Sequence, residues 1–266
     1  MYLTNLHCLQ RMRTPFELQN VFSVAILGLS KFFREDATVT AQTMQIGSRP
    51  CRIYGEPHAE YLLLQMTGEH ELQSMDNEVA AIAQGAAHPF LFAAVAVESW
   101  NDELSPWEAP AVWGKQGFGG NAADTLRFLT EQVVPTLKQQ FSLPENVKII
   151  LGGYSLAGLF ALWASTQTDL FYGVAAASPS VWFPGWMEFE QQHPIQAQRV
   201  YLSLGDKEER TKNTVMAAVG DNIRTLHSRL AARGTDCTLE WNSGGHFKDA
   251  DLRTAKAFRW MMEEHT

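Results

Sequence analysis

A chain of 266 residues, 45% hydrophobic and 19% charged, holds enough apolar material for one α/β domain with a sizeable core. A net charge of −8 with no compensating Lys/Arg cluster argues against a nucleic-acid partner. The three cysteines, Cys8, Cys51 and Cys237, lie far apart; they fit neither a metal spacing nor a disulfide framework and favour a reducing cytoplasm.

Residues 1–43 read as an N-terminal extension. Thr14-Pro15-Phe16-Glu17 has the form of a capping box with Pro at the first helical position. Leu18, Val21, Phe22, Ala25, Ile26, Leu29 and Phe32 then recur at helical spacing, which predicts one amphipathic helix. The apolar run at 21–29 follows Arg11 and Arg13. It is too short to cross a bilayer, and Ser30-Lys31-Phe32-Phe33-Arg34-Glu35-Asp36 stands where a signal peptide needs small residues for cleavage. The expectation is a cytoplasmic protein with no membrane partner. Met44 offers an alternative start for the rest of the chain.

From Met44 strands and helices alternate. Residues 44–46 and 52–54 read as short strands joined by Gly47-Ser48-Arg49-Pro50, and 61–66 as a buried strand. A helix is expected over 76–84, capped by Asp76, then a buried strand over 90–97. Residues 101–120 form a loop carrying Trp107 and Trp113, and a loop of that length in a compact domain is usually functional. Its Gly117-Phe118-Gly119-Gly120 has no strand before it and no Lys-Ser/Thr pair after it, so it reads as loop flexibility rather than a phosphate cradle. Asn121 is expected to cap a helix reaching residue 140 and kinked at Pro135. A strand at 147–151, a helix at 156–163 and strands at 173–177 and 200–204 follow. Val215, Val219, Ile223, Leu226 and Leu230 mark one face of a helix ended by Gly234; a last strand at 237–241 and a closing helix at 251–262 complete the chain. This alternation predicts an α/β fold with a mainly parallel sheet, helices on both faces, and a single domain over 44–266. Ligands in such sheets bind at the C-terminal strand ends.

One strand end stands out. Ser155 sits between the 147–151 strand and the helix after it, with Gly153 two residues before, Ala157 two after and Gly158 three after. Small residues at these positions are what a nucleophile elbow requires, because the sharp turn crowds its serine; Ala157 stands where Gly is usual. A serine hydroxyl needs a base and the base an orienting carboxylate. His246, after the last strand and behind Gly244 and Gly245, is the candidate base; His70 also leaves a strand end but precedes the serine. Asp206, Glu208 and Glu209 crowd the turn after the 200–204 strand. Glu208 is the preferred acid, Asp206 the alternative, and a Ser–His dyad remains a third arrangement. The backbone N–H of Leu156 and one from the turn after the 61–66 strand, Thr67 or Met66, would bind the oxyanion. Trp100, Trp107, Trp113, Trp182 and Trp186 fall in strand-end loops, and Trp100, Trp107 and Trp182 are the candidate substrate-binding residues. No metal cluster, phosphate loop or dinucleotide fingerprint is visible, so no cofactor or metal is expected.

Gly152-Gly153-Tyr154-Ser155-Leu156-Ala157-Gly158, Ser178-Pro179-Ser180-Val181-Trp182, Leu204-Gly205-Asp206-Lys207-Glu208-Glu209 and Gly244-Gly245-His246-Phe247 together give the chain from Met44 to Met262 a resemblance. It resembles the esterase D-like and enterobactin-type esterase branch of the α/β-hydrolase superfamily. The resemblance implies hydrolysis of an ester or thioester through an acyl-serine, with Ser155 as nucleophile, His246 as base and a carboxylate of the Asp206–Glu209 turn as acid. The expected function is a serine esterase acting on a small-molecule ester. An acyltransferase using the same residues, or a hydrolase fold kept as a binding module, are the alternatives.

Overall fold

The structure, a computed structural model, describes residues 41–68, 71–72, 75–112 and 114–264. The expected helix through residues 14–32, together with His70 and Trp113, lies outside them.

The strands are β1 (Ala41–Ile46), β2 (Arg49–Gly55), β3 (Tyr61–Gly68), β4 (Phe90–Val97), β5 (Glu108–Ala109), β6 (Phe118–Gly119), β7 (Lys148–Tyr154), β8 (Gly173–Ala177), β9 (Arg199–Gly205) and β10 (Asp236–Asn242). Eight of them form one sheet in the order β1-β2-β4-β3-β7-β8-β9-β10. From β4 through β10 the neighbours are parallel; β1–β2 and β2–β4 are antiparallel. All residues of β4, β8 and β9 are buried, which is why these strands read as unbroken apolar or small-residue runs rather than alternating ones.

Side chains leave the central strands alternately for two cores. On one face Leu62, Leu64, Leu151, Val174 and Leu202 meet Leu159, Phe160, Ile223 and Leu226. On the other, Leu63, Phe92, Ile150, Ala175 and Tyr201 meet Val79, Ile82, Phe258 and Met261. The first group of helical residues comes from α5 (Leu156–Gln167) and α8 (Val219–Ala232), the second from α1 (Asp76–Gly85) and α9 (Ala250–Met262). The fold is therefore the expected α/β arrangement, with helices on both faces of a mainly parallel sheet.

Several local expectations are corrected. β1 begins at Ala41, so Ala41, Gln42 and Thr43 pair with β2 and are not part of the expected extension. Pro50 lies inside β2, where pairing with β4 begins only at Cys51. Asp76 is the first residue of α1, not its cap; its carboxylate instead accepts from Tyr54 Oη at 2.7 Å and Arg52 Nη2 at 2.9 Å. The helix before β7 runs as α3 (Ala122–Phe128), a π segment (Leu129–Val133) and α4 (Val134–Gln140). Asn121 makes no side-chain cap bond there. A proline ring clashes with the carbonyl four residues back, which for Pro135 is Glu131, and the wider π turn lies there.

The loop at 101–120 is more ordered than its composition suggests. It holds the short helix α2 (Trp100–Glu103) and a two-stranded β5–β6 ribbon. Two of its glycines meet local demands: a Cβ at Gly119 would lie 2.6 Å from Asp102 Oδ1, and Gly120 has φ +77°. A further helix, α6 (Trp186–Gln192), follows the Ser178–Trp182 segment and was not expected. The helix expected from Val215 is split into α7 (Thr214–Ala217) and α8, with the Asn213 side chain accepting from the N–H groups of Val215 and Met216.

Candidate active site

Ser155 joins β7 to α5 with φ 58° and ψ −121°, outside the regions a serine ordinarily occupies. The neighbours that over-determine this backbone are visible. Ser155 N donates to Ala177 O at 3.2 Å, and Ser155 O accepts from Ser180 N at 3.0 Å and Leu159 N at 3.1 Å. A Cβ at Gly153 would lie 2.6 Å from Ala157 Cβ, and one at Gly158 would lie 3.0 Å from Gly153 O. The departure at Ala157 is thus absorbed by Gly153, which leaves the methyl its space.

His246 Nε2 lies 3.0 Å from Ser155 Oγ, and His246 Nδ1 lies 2.7 Å from Glu208 Oε2. The three groups form one hydrogen-bonded line from a serine hydroxyl through an imidazole to a carboxylate. Glu208 is nearly sealed, with its side chain 5% exposed. Its other oxygen, Oε1, accepts from Gly205 N at 2.7 Å, Ser178 Oγ at 2.8 Å and Arg253 Nη1 at 3.2 Å. Gly205 leaves that oxygen room, since a Cβ there would meet Glu208 Oε1 at 2.8 Å and Gly244 O at 2.4 Å.

The other carboxylates of the turn face elsewhere. Asp206 Oδ1 accepts from Gly244 N at 2.7 Å and ties the acid turn to the histidine loop. Glu209 pairs with Arg224 at 3.0 Å. Of the two acids weighed from the sequence, Glu208 is the one brought to the imidazole.

Leu156 opens α5, so its N–H has no carbonyl partner within the helix. β3 pairs with β7 only as far as Gln65 opposite Gly152, yet it runs on to Gly68. Met66 and Thr67 therefore extend beyond the last β7 pair, on the strand next to the one that turns into the elbow. Thr67 Oγ1 and Gly68 N both donate to Glu71 Oε2, at 3.2 and 3.4 Å.

The tryptophans divide. Trp186 is fully buried at the start of α6. Trp107 is half-buried: its Nε1 donates to Pro184 O at 2.9 Å, and its ring packs on Phe183 and Phe189. Trp182 is half-buried beside Phe118, and half-buried Trp100 begins α2. An exposed aromatic side chain does adjoin the histidine. Phe247 is 96% exposed, with its ring 5.2 Å from that of His246.

Sequence reasoning missed a layer behind these groups. Tyr154 Oη donates to His246 O at 2.6 Å, and burial pushes the phenol's pKa up. Ser178, at φ 43°, donates to Glu208. The buried Ser180 places its Oγ 3.4 Å from Ser155 Oγ. Arg253 joins several of these from α9. A signal for it was present: Arg253 is four residues before Ala257 and eight before Met261, which puts it on the buried stripe of an amphipathic helix.

No helix among the described residues is long and apolar enough to cross a membrane. The family model described as "Putative esterase" matches residues 93–250, more than half of the chain and the stretch from β4 to the start of α9. An uncharacterized protein of Bacillus subtilis (strain 168), YbbA, is 25% identical over 140 residues, covering 50% of this chain and 55% of that protein, so the match spans about half the length of this curated relative. Among solved structures, an IroE-like serine hydrolase from Shewanella oneidensis superposes with a TM-score of 0.69 at 16% identity, over 84% of this chain and 80% of that one. The siderophore hydrolase EstA from Aspergillus nidulans gives 0.61 at 17% identity, over 85% and 94%. The enterobactin esterase FES from Shigella flexneri gives 0.61 at 17% identity, over 84% and 60%. At such identities the structures speak for the shared fold alone. The match across β4, the elbow, the acid turn and the histidine loop shows more: the chain belongs to that esterase family, a branch of esterase-type enzymes on the α/β-hydrolase fold.

Proposed function

We propose that the protein is a serine esterase that cleaves a small-molecule ester through an acyl-serine, with Ser155 as nucleophile, His246 as general base and acid, and Glu208 as the orienting carboxylate. The observation that carries this reading is the line Ser155 Oγ–His246 Nε2, 3.0 Å, and His246 Nδ1–Glu208 Oε2, 2.7 Å, at the C-terminal ends of β7, β9 and β10. His246 Nε2 takes the Oγ proton as Oγ bonds to the ester carbonyl carbon. The carbonyl electrons move to oxygen, which rests on the N–H of Leu156 and of Thr67 or Met66. Collapse breaks the bond to the alcohol, and the imidazolium returns its proton to that oxygen. Water, deprotonated by His246, then attacks the acyl carbon and releases the acid. Glu208 holds the imidazole in the tautomer this sequence needs and balances its charge. Every proton transfer runs through His246, so no cofactor is required.

The substrate is left at the level of a small ester. Trp100, Trp107 and Trp182 are proposed to border it, and the exposed Phe247 joins them. The names of the siderophore hydrolase and enterobactin esterase neighbours support ester cleavage in this fold.

A fluorophosphonate probe is expected to label Ser155 alone, and Ser155→Ala is expected to lower turnover of short p-nitrophenyl esters by about 10⁶-fold. Undiminished turnover in that variant would sink the proposal. Ester exchange onto an added alcohol in place of hydrolysis would redirect it to acyl transfer.

A further inference from the structure

From the hydrogen bonds around the acid, we infer that Arg253 is a positioning residue for the reaction: one buried guanidinium sets the aim of Glu208 and the place of the His246 loop. The inference rests on the triad reading above. Arg253 is 3% exposed on the first turn of α9. Its Nη1 lies 3.2 Å from Glu208 Oε1, 3.1 Å from Tyr154 Oη and 3.5 Å from Ser178 Oγ, and its Nη2 donates to Ser243 O at 3.2 Å. These four partners belong to the end of β7, the end of β8, the acid turn after β9 and the loop after β10. A single planar side chain thus ties together the separate chain segments that carry the nucleophile, the acid and the base.

The two oxygens of Glu208 divide the work. Oε1 receives Gly205 N, Ser178 Oγ and Arg253, whereas the hydrogen bond to His246 is made by Oε2. Anchoring one oxygen fixes the carboxylate plane and so aims the other at Nδ1. Glutamate has one more rotatable bond than aspartate, so its carboxylate depends more on such an anchor. Arg253 acts on the base by a second route. Tyr154 Oη accepts from Arg253 and donates to His246 O, and Ser243 lies three residues before His246. The Arg253–Glu208 pair also explains how a carboxylate 5% exposed is tolerated: both charges are compensated and hydrogen-bonded. A purely structural ion pair would need none of the links to Tyr154 and Ser243.

The experiment compares Arg253→Met, Arg253→Lys and Tyr154→Phe with wild type and Ser155→Ala, using short p-nitrophenyl esters. The readouts are kcat and KM separately, the thermal midpoint, and the downfield proton resonance of the His246 Nδ1–Glu208 hydrogen bond. Arg253→Met is expected to lose about 100-fold in kcat at little-changed KM, the cost of a misaimed catalytic group, with that resonance lost. Arg253→Lys, which keeps the charge but not the fork, should recover part of the rate, and Tyr154→Phe should lower kcat more mildly with the resonance retained. If Arg253→Met does not fold, the lysine and phenylalanine variants carry the test. Folded Arg253 variants with kcat within about twofold of wild type would overturn the inference while leaving Ser155 as nucleophile. Turnover surviving in Ser155→Ala would instead remove the triad reading itself.

Discussion

Glu208 Oε2 lies 2.7 Å from His246 Nδ1, whereas Asp206, two residues earlier in the same turn, spends its carboxylate on the N–H of Gly244. Two acids of one turn therefore have separable effects. Glu208→Gln is expected to keep the fold and lower kcat by roughly 10³–10⁴-fold, because an amide can no longer hold the required tautomer. Asp206→Asn, which still offers an oxygen to Gly244, should leave kcat within about tenfold, and Asp206→Ala should act mainly by loosening the histidine loop, at about 1 kcal/mol of stability. Steady-state kinetics of the three variants settle which carboxylate serves the base. A larger kcat loss in Asp206→Asn than in Glu208→Gln would reverse the assignment.

The elbow makes a prediction about packing rather than chemistry. A methyl at Gly153 would meet Ala157 Cβ at 2.6 Å and the Ala157 carbonyl carbon at 3.1 Å. Gly153→Ala is expected to destabilise by about 1–3 kcal/mol, the usual range for overpacking a tight site. Adding Ala157→Gly should recover part of that loss, because it deletes the methyl nearest the new one. Urea midpoints of the two single variants and the double variant test the coupling. Strict additivity would show that the contact is not the cause.

The elbow and the acid turn differ in how far the sequence alone reveals them. β4 and β8 were legible to the residue because each is a buried strand bounded by turn residues. The elbow was legible because steric crowding leaves a composition signature at Gly153, Ala157 and Gly158. The preference for Glu208 over Asp206 was legible from its spacing after the strand-ending Gly205, but the separate task of Asp206 was not, since only the fold brings its carboxylate to Gly244 while Glu208 meets His246. The layer formed by Tyr154, Ser178 and Arg253 was hidden for a different reason. Tyr154 ends β7 and Ser178 follows the end of the neighbouring strand β8, and the return of α9 onto the sheet brings Arg253, 99 and 75 residues further along the chain, to both. The two-part helix at 214–232 was missed because apolar periodicity continues across the break.

Glu190 provides a stability test away from the chemistry. It is fully buried on α6, and it binds Arg229 of α8 at 3.0 Å and also Arg233, just past the end of that helix. Removing one member of a buried ionic cluster leaves the others uncompensated, typically at about 3–5 kcal/mol. The arginines here are partly exposed, 26% and 30%, so water can compensate them and the lower end is expected for Glu190→Ala. Denaturant titration would measure it. A loss below about 1 kcal/mol would mean that solvent replaces the carboxylate almost completely.

Glu78 gives the protein a pH dependence of its own. It is sealed between α1 and β3, where Gln65 Nε2 donates to Glu78 Oε2 at 3.3 Å, and Oε1 of each side chain has no hydrogen-bond partner among the described residues. Burial pushes the Glu78 pKa up to about 8 from 4.5; the Gln65 hydrogen bond opposes the shift, while Asp251 on α9 and Glu71 add to it. Protonation removes a charge that this buried site solvates poorly. In the folded state the pKa is raised, so between pH 4.5 and about 8 the native protein binds more protons than the unfolded chain. Stability from this group is fully present below pH 4.5, falls as pH rises through that window, and levels off above about pH 8, a total on the order of a few kcal/mol. Glu78→Gln removes the titration and leaves the other carboxylates in place. The stability of wild type relative to Glu78→Gln is therefore expected to decline steadily from pH 5 to pH 8 and to be flat beyond it. Urea unfolding of both proteins at several pH values measures that difference directly, and a difference independent of pH would mean that Glu78 is charged in the folded protein throughout.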